Sequence, residues 1–119
     1  MQKKSKLYVF TKAKDLAKYI LTVTEKSPVK FRYSLTIRLH NYILDAIECI
    51  YFANKSDFGE ERTALQKKAR NLLSTLDYFS GIAYEQGCIL LKQYEQISLQ
   101  IAETIMYLDK WSKVTSNNS

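Results

Sequence analysis

Apolar residues recur along this chain at intervals of three and four, and four stretches carry the pattern. In the first, from about Leu7 to Glu25, the spaced positions are Phe10, Ala13, Ala17, Ile20 and Leu21 or Thr24. Lys12, Asp15 and Lys18 fall between them, so the stretch reads as a helix with one apolar face. The second runs from Pro28 to about Asn54 and aligns Phe31, Leu35, Leu39, Tyr42, Ala46, Cys49 and Ala53. Ile37, Leu44, Ile47 and Tyr51 widen its apolar surface. A helix apolar over so much of its circumference needs more than one neighbour, which predicts a central position in a bundle or a subunit interface. The third, beginning near Phe58, places Leu65, Ala69, Leu72, Leu76, Phe79 and Ala83 in a heptad-like series, the pattern of antiparallel bundle packing. The fourth runs from about Leu90 to Lys113 and directs Leu90, Tyr94, Ile97, Ile101, Ile105, Leu108 and Trp111 inward.

The punctuation agrees with four helices. Ser27-Pro28 stops the first and starts the second, Ser as a cap and Pro at the first helical position, where its missing N–H costs nothing. NKSDF at 54–58 makes the next break, with Asp57 and Glu60 resembling a capping box. Gln86-Gly87 supplies a C-terminal stop for the third helix. Short connections between four amphipathic helices predict an all-α, antiparallel, up-down-up-down four-helix bundle over residues 7–113. A flexible basic arm is expected at 1–6, and a disordered tail at 114–119. With 119 residues, three Gly and one Pro, the chain has the length of one domain and too few turn residues for a many-stranded sheet.

Charge changes the picture. The net charge of +6 is unevenly distributed: residues 1–40 hold ten Lys or Arg against Asp15 and Glu25, and the other 79 residues are slightly acidic. A basic excess confined to one third of the chain suits a polyanion such as RNA, DNA or an acidic protein surface; the alternative is a solvated, lysine-rich helix face. No stretch reaches the roughly 20 apolar residues of a membrane span, and MQKKSKLYVF lacks the apolar run and cleavage site of a secretory leader, so a cytoplasmic protein is expected. Cys49 and Cys88 stand alone in apolar surroundings and read as packing thiols.

Catalytic patterns do not emerge. Three scattered glycines exclude a GxGxxG or P-loop signature, and His40, the only histidine, has no recognisable partner. Asp45, Glu48, Glu85, Glu95 and Glu103 lack the ExxH elements of a di-metal bundle site. The expectation is a non-enzyme without metal or cofactor. Of the nine tyrosines, Tyr8 and Tyr33 lie within the basic third and are candidates for base stacking. Residues 26–40, KSPVKFRYSLTIRLH, hold Lys26, Lys30, Arg32 and Arg38 and no acid. On a regular helix from Pro28, Lys30 and Arg38 are about 800° apart and lie within roughly 80° of each other, enough for one basic patch. Arg suits phosphate through its planar donor fork; the competing expectation pairs Arg32 or Arg38 with a carboxylate.

The order Pro28, Lys30, Arg32 and Leu35, a helix ending in Ala53-Asn54, LDYFSGIAYEQGCILLKQYEQI at 76–97, and a last helix closing on Trp111 resembles a known four-helix-bundle family. That family includes proteins encoded by intervening sequences of bacterial large-subunit ribosomal RNA and the accessory variability determinant (Avd) of diversity-generating retroelements. The resemblance covers residues 7–113 and departs at CILLK, where Leu90 and Leu91 replace a Ser cap, so helix 4 should start later or pack its first turn on a neighbour. It implies an antiparallel bundle. Its characterised branch implies a homopentameric, funnel-like barrel with basic surfaces that contacts a reverse transcriptase and nucleic acid during mutagenic complementary-DNA synthesis. By this resemblance Lys26, Lys30, Arg32 and Arg38 contact phosphate, with Lys3, Lys4 and Lys6 as an adaptable arm. Leu72, Leu76, Phe79, Ile101, Ile105, Leu108 and Trp111 would be core. The intervening-sequence branch implies instead a structural or protein-interaction bundle with no direct nucleic-acid role.

Overall fold

Four long helices carry most of the backbone in the computed structural model, which describes residues 2–57 and 59–118, with side chains for 6–57 and 59–114. They are α1 (Gln2–Thr24), α2 (Ile37–Lys55), α3 (Glu60–Glu85) and α4 (Leu91–Asn118), and no strand occurs among the described residues. α2 packs most extensively on α3 and α1 on α4, and the α3–α4 and α1–α2 contacts complete the ring. The result is the expected antiparallel four-helix bundle. Its long dimension, 47 Å, is set by the 28 residues of α4, about 42 Å of helix at the usual rise. Helical backbone enters both terminal segments. The side chains of Lys3 and Lys4, in the expected arm, lie outside the described residues, as does Phe58.

The core is a file of large side chains from all four helices: Leu16 and Ile20, Leu39, Ile43 and Ile50, Leu73 and Leu76, and Ile97, Leu108 and Trp111. On α1 the buried line is Val9, Ala13, Leu16, Ala17, Ile20 and Thr24, while Leu21 is exposed. The intervals of three and four fit two overlapping stripes, and packing against α2 and α4 selects the one centred on Leu16. On α3 the buried line is Gln66, Ala69, Leu73, Leu76, Ser80 and Ala83, with Leu65, Leu72 and Phe79 half-buried beside it. The polar Gln66 and Ser80 disguise this line in the sequence. On α2, Ile43 and Ile50 are fully buried, whereas Ile37, Leu44 and Tyr51 are exposed, so the bundle leaves much of the wide apolar surface of α2 uncovered.

The α2 helix begins later than expected. The chain after Pro28 does not enter an α-helix: it makes a 3₁₀ turn at Val29–Phe31 and a π-helical turn at Arg32–Thr36 before α2 begins at Ile37. A tight turn followed by a wide one departs from the uniform 100° per residue, yet Phe31 before α2 and Leu39, Ala46, Cys49 and Ala53 on it are all buried, as the stripe predicts. Ser27 is not a cap; its hydroxyl donates to the Cys88 carbonyl at 2.6 Å, and Thr36 Oγ1 lies 3.6 Å from Cys88 Sγ. The α1–α2 connection is thereby tied to the α3–α4 turn.

At that turn Gly87 adopts φ +84°, and the Cys88 and Gly87 amides donate to the Ala83 and Tyr84 carbonyls, a Schellman closure of α3. Leu90, 69% exposed, packs on no neighbour; the Gln93 side chain accepts its amide at 2.9 Å, the half of a capping box that needs no Ser. At the other end, Gly59 with φ +120° holds the cap position of α3 and no side chain caps it, so Asp57 does not serve as expected.

Arg62 does the closing work at that end. It is 9% exposed, and its guanidinium donates to the carbonyls of Ala53, Asn54 and Ser56 at the end of α2 while standing over the Trp111 ring of α4. Charge-assisted bonds to helix-terminal carbonyls stabilise twice, by satisfying acceptors and by opposing the negative end of the helix dipole. Arg62→Ala is expected to destabilise the protein by about 2–4 kcal/mol in chemical denaturation, against less than about 0.5 for the exposed Lys67→Ala; equal losses would remove Arg62 from this role.

Candidate nucleic-acid interface

The basic segment lies at the end of the bundle where α1 hands over to α2, and its irregular backbone decides where each cation goes. Lys26 and Lys30 are exposed, Lys30 with its ammonium 5.1 Å from the centre of the Phe31 ring. Phe31 is buried and pins the 3₁₀ turn to the core. Arg32 leads off the π turn into a small depression of about 270 Å³ between α1 and α2, shared with Glu25, Ser27, Thr36 and His40. Arg38, on the first turn of α2, lines a different and larger groove of about 680 Å³ between α2 and α3. The two arginines thus line separate depressions at this end of the bundle.

Arg38 is held in a defined pose. One terminal nitrogen donates to the Tyr42 hydroxyl at 3.2 Å, and the guanidinium carbon stands 5.5 Å from the centre of the Phe79 ring, which in turn packs on Tyr42 at 5.3 Å. Phe79, expected in the core, is half-buried and forms the floor under this arginine. A guanidinium stacked on one face retains its other face and most of its N–H groups for a ligand. Tyr33, 87% exposed, stands on the rim of the same groove, whereas Tyr8 is packed against Tyr107 at 4.9 Å. Among the described residues neither Arg32 nor Arg38 pairs with a carboxylate, although Asp45 lines the groove of Arg38 and Glu25 the depression of Arg32. Lys6, in the first turns of α1, is half-buried.

His40 has a structural partner that the sequence did not reveal. Thr24 donates its only hydroxyl proton to the Ile20 carbonyl at 2.7 Å, so His40 Nε2, also 2.7 Å from Thr24 Oγ1, must be the donor to it. This bond joins the last turn of α1 to α2 beneath Arg32. Burial lowers the His40 pKa from its ordinary value, and burial likewise raises that of Cys49. Among the described residues no three His, Cys, Asp or Glu side chains gather as metal ligands, and no helix is long and apolar enough to cross a membrane.

No protein-family model matches the chain, and no curated protein matches it at a significant level.

A lowered His40 pKa means that the unfolded chain takes up a proton at higher pH than the folded one. Its contribution to stability is complete above the unfolded value of about 6.5 and is lost as pH falls through the folded value. The melting temperature should therefore fall between about pH 7.5 and 5, and His40→Gln should flatten part of that decline; parallel profiles for the two proteins would exclude His40 as its source.

Proposed function

We propose that this protein is a non-enzymatic, oligomeric accessory protein that attaches to RNA or DNA through phosphate contacts and docks a reverse transcriptase, in the manner of Avd. The observation that carries the reading is the pose of Arg38. Its guanidinium is oriented by Tyr42 and Phe79, pairs with no carboxylate among the described residues, and opens onto a groove rimmed by the exposed Tyr33. Orientation before binding lowers the entropy lost when the fork meets a phosphate. The basic excess of residues 1–40 supports the same reading, with Lys26, Lys30 and Arg32 supplying further positive charge at this end of the bundle. Support for an oligomer comes from α2, whose Ile37, Leu44, Tyr51 and Phe52 are exposed apolar side chains on one helix.

Attachment of this kind is salt-dependent, because each neutralised phosphate releases condensed counterions. Fluorescence anisotropy with a labelled structured RNA should show affinity falling steeply as salt rises. The variant K30E/R32E/R38E should lose binding and keep its helical circular dichroism, since all three side chains lie on the surface. Undiminished binding by the variant would remove these residues from the interface, and absence of binding by the parent protein would favour the structural bundle of the intervening-sequence branch.

A further inference from the structure

The α3–α4 side carries a groove of different chemistry. It has a volume of about 690 Å³, and its lining includes Asp77, Tyr78, Gly81, Tyr84, Glu85 and Tyr94. Tyr84 and Tyr94 present parallel rings, 3° apart in plane with centroids 5.9 Å apart. Gly81 makes room for this pair: a methyl group in its place would meet the Tyr94 hydroxyl at 3.4 Å. Tyr78, 71% exposed, adds a third ring, and none of the three hydroxyls has a hydrogen-bond partner among the described residues. Three aromatic rings and two carboxylates therefore line one groove.

The electrostatics are the reverse of those of the basic segment, which lies at the same end of the bundle. In a chain of net charge +6, residues 71–91 contain Asp77 and Glu85 and neither Lys nor Arg. Arg70, just outside, is already committed to Asp109 at 2.9 Å, and Lys92 is not among the residues that line the groove. The C-terminal end of α3, the negative end of its dipole, lies at Glu85 on the same rim. A nucleic acid would meet carboxylates here, and a purely apolar helix would leave them without partners.

We propose that this groove is a docking site for an arginine side chain carried in a basic, extended segment of a partner protein. The guanidinium is flat enough to stack on the tyrosine rings and presents a donor fork to Asp77 or Glu85, two requirements that a lysine ammonium meets less well. Asp77 already accepts a hydrogen bond from Ser98, which fixes its carboxylate at the groove. The groove shares this end of the bundle with the basic segment but none of its lining, and the proposal stands whether or not that segment binds nucleic acid.

The test uses the full chain and fluorescein-labelled peptides of alternating arginine and glycine, with lysine–glycine peptides as the comparison. Saturable binding is expected for the arginine peptide, with amide shifts confined to the Ser74–Glu85 stretch and Tyr94 and clearly weaker binding of the lysine peptide. The variant Y78A/E85Q changes two exposed side chains and should weaken the arginine peptide about tenfold or more, with melting temperature and RNA affinity unaltered. Non-saturable binding, shifts that map elsewhere, or equal affinity in the variant would overturn the proposal. So would a variant that converts an oligomeric parent protein to a monomer, because the groove would then be filled by a second copy of this chain.

Discussion

One guanidinium settles where three helices end. Arg62 enters the bundle from the first turns of α3, closes the C-terminal carbonyls of α2 and covers the Trp111 ring of α4. Without a donor there, acceptors at the end of α2 would sit against an apolar indole and away from water, a costly arrangement for backbone polar groups. The connection between α2 and α3 is short, so the constraint is local in sequence and yet fixes the approach of α4. From this point α2 and α3 form the most extensive helix pair of the bundle.

The opposite end solves a different problem. There the chain must reverse between α1 and α2 and again between α3 and α4, and the two reversals are bound to each other through Cys88, by the Ser27 hydroxyl and the Thr36 side chain. Buried Phe31 and the Thr24–His40 bond add two further attachments. A 3₁₀ turn and a π turn are individually poor structures, and they persist here because surrounding contacts over-determine them. The cations between Lys26 and Arg38 are thus displayed from a rigid base although their backbone is irregular. That combination suits a binding surface, since the side chains gain varied directions without the entropy of a loose loop.

How much of this was legible in the chain follows from what each signal depends on. The number of helices, the stop at Gln86-Gly87 and the break near 54–58 rest on local rules and were readable. The identity of the innermost residues was less so: Gln66 and Ser80 interrupt the apolar file of α3, and only packing shows that the line through them faces the core. Ile43 and Ile50 escaped for another reason: they lie one position from Tyr42 and Cys49, and a single line of threes and fours does not show how wide the buried face of α2 is. Among the site residues, Arg38 could be singled out by charge, but its seat on Phe79 required knowing that a residue 41 positions away lies beside it. The tyrosine groove was illegible for the same reason: Tyr94 belongs to another helix, and its closeness to Gly81 is a tertiary fact.

The π turn at Arg32–Thr36 carries a consequence for chain length. A wide turn is where one residue can be added or removed at small cost, because the surplus is already looped out rather than wound into a continuous ladder. Deleting one position there tightens the turn toward an ordinary helix and leaves Leu39 and all that follows in place, with Phe31 still buried before it. The segment is therefore a splice point between two seated parts of the molecule. A single insertion or deletion can redirect the side chains within the turn, from Arg32 to Thr36, without rewriting the core on either side of it.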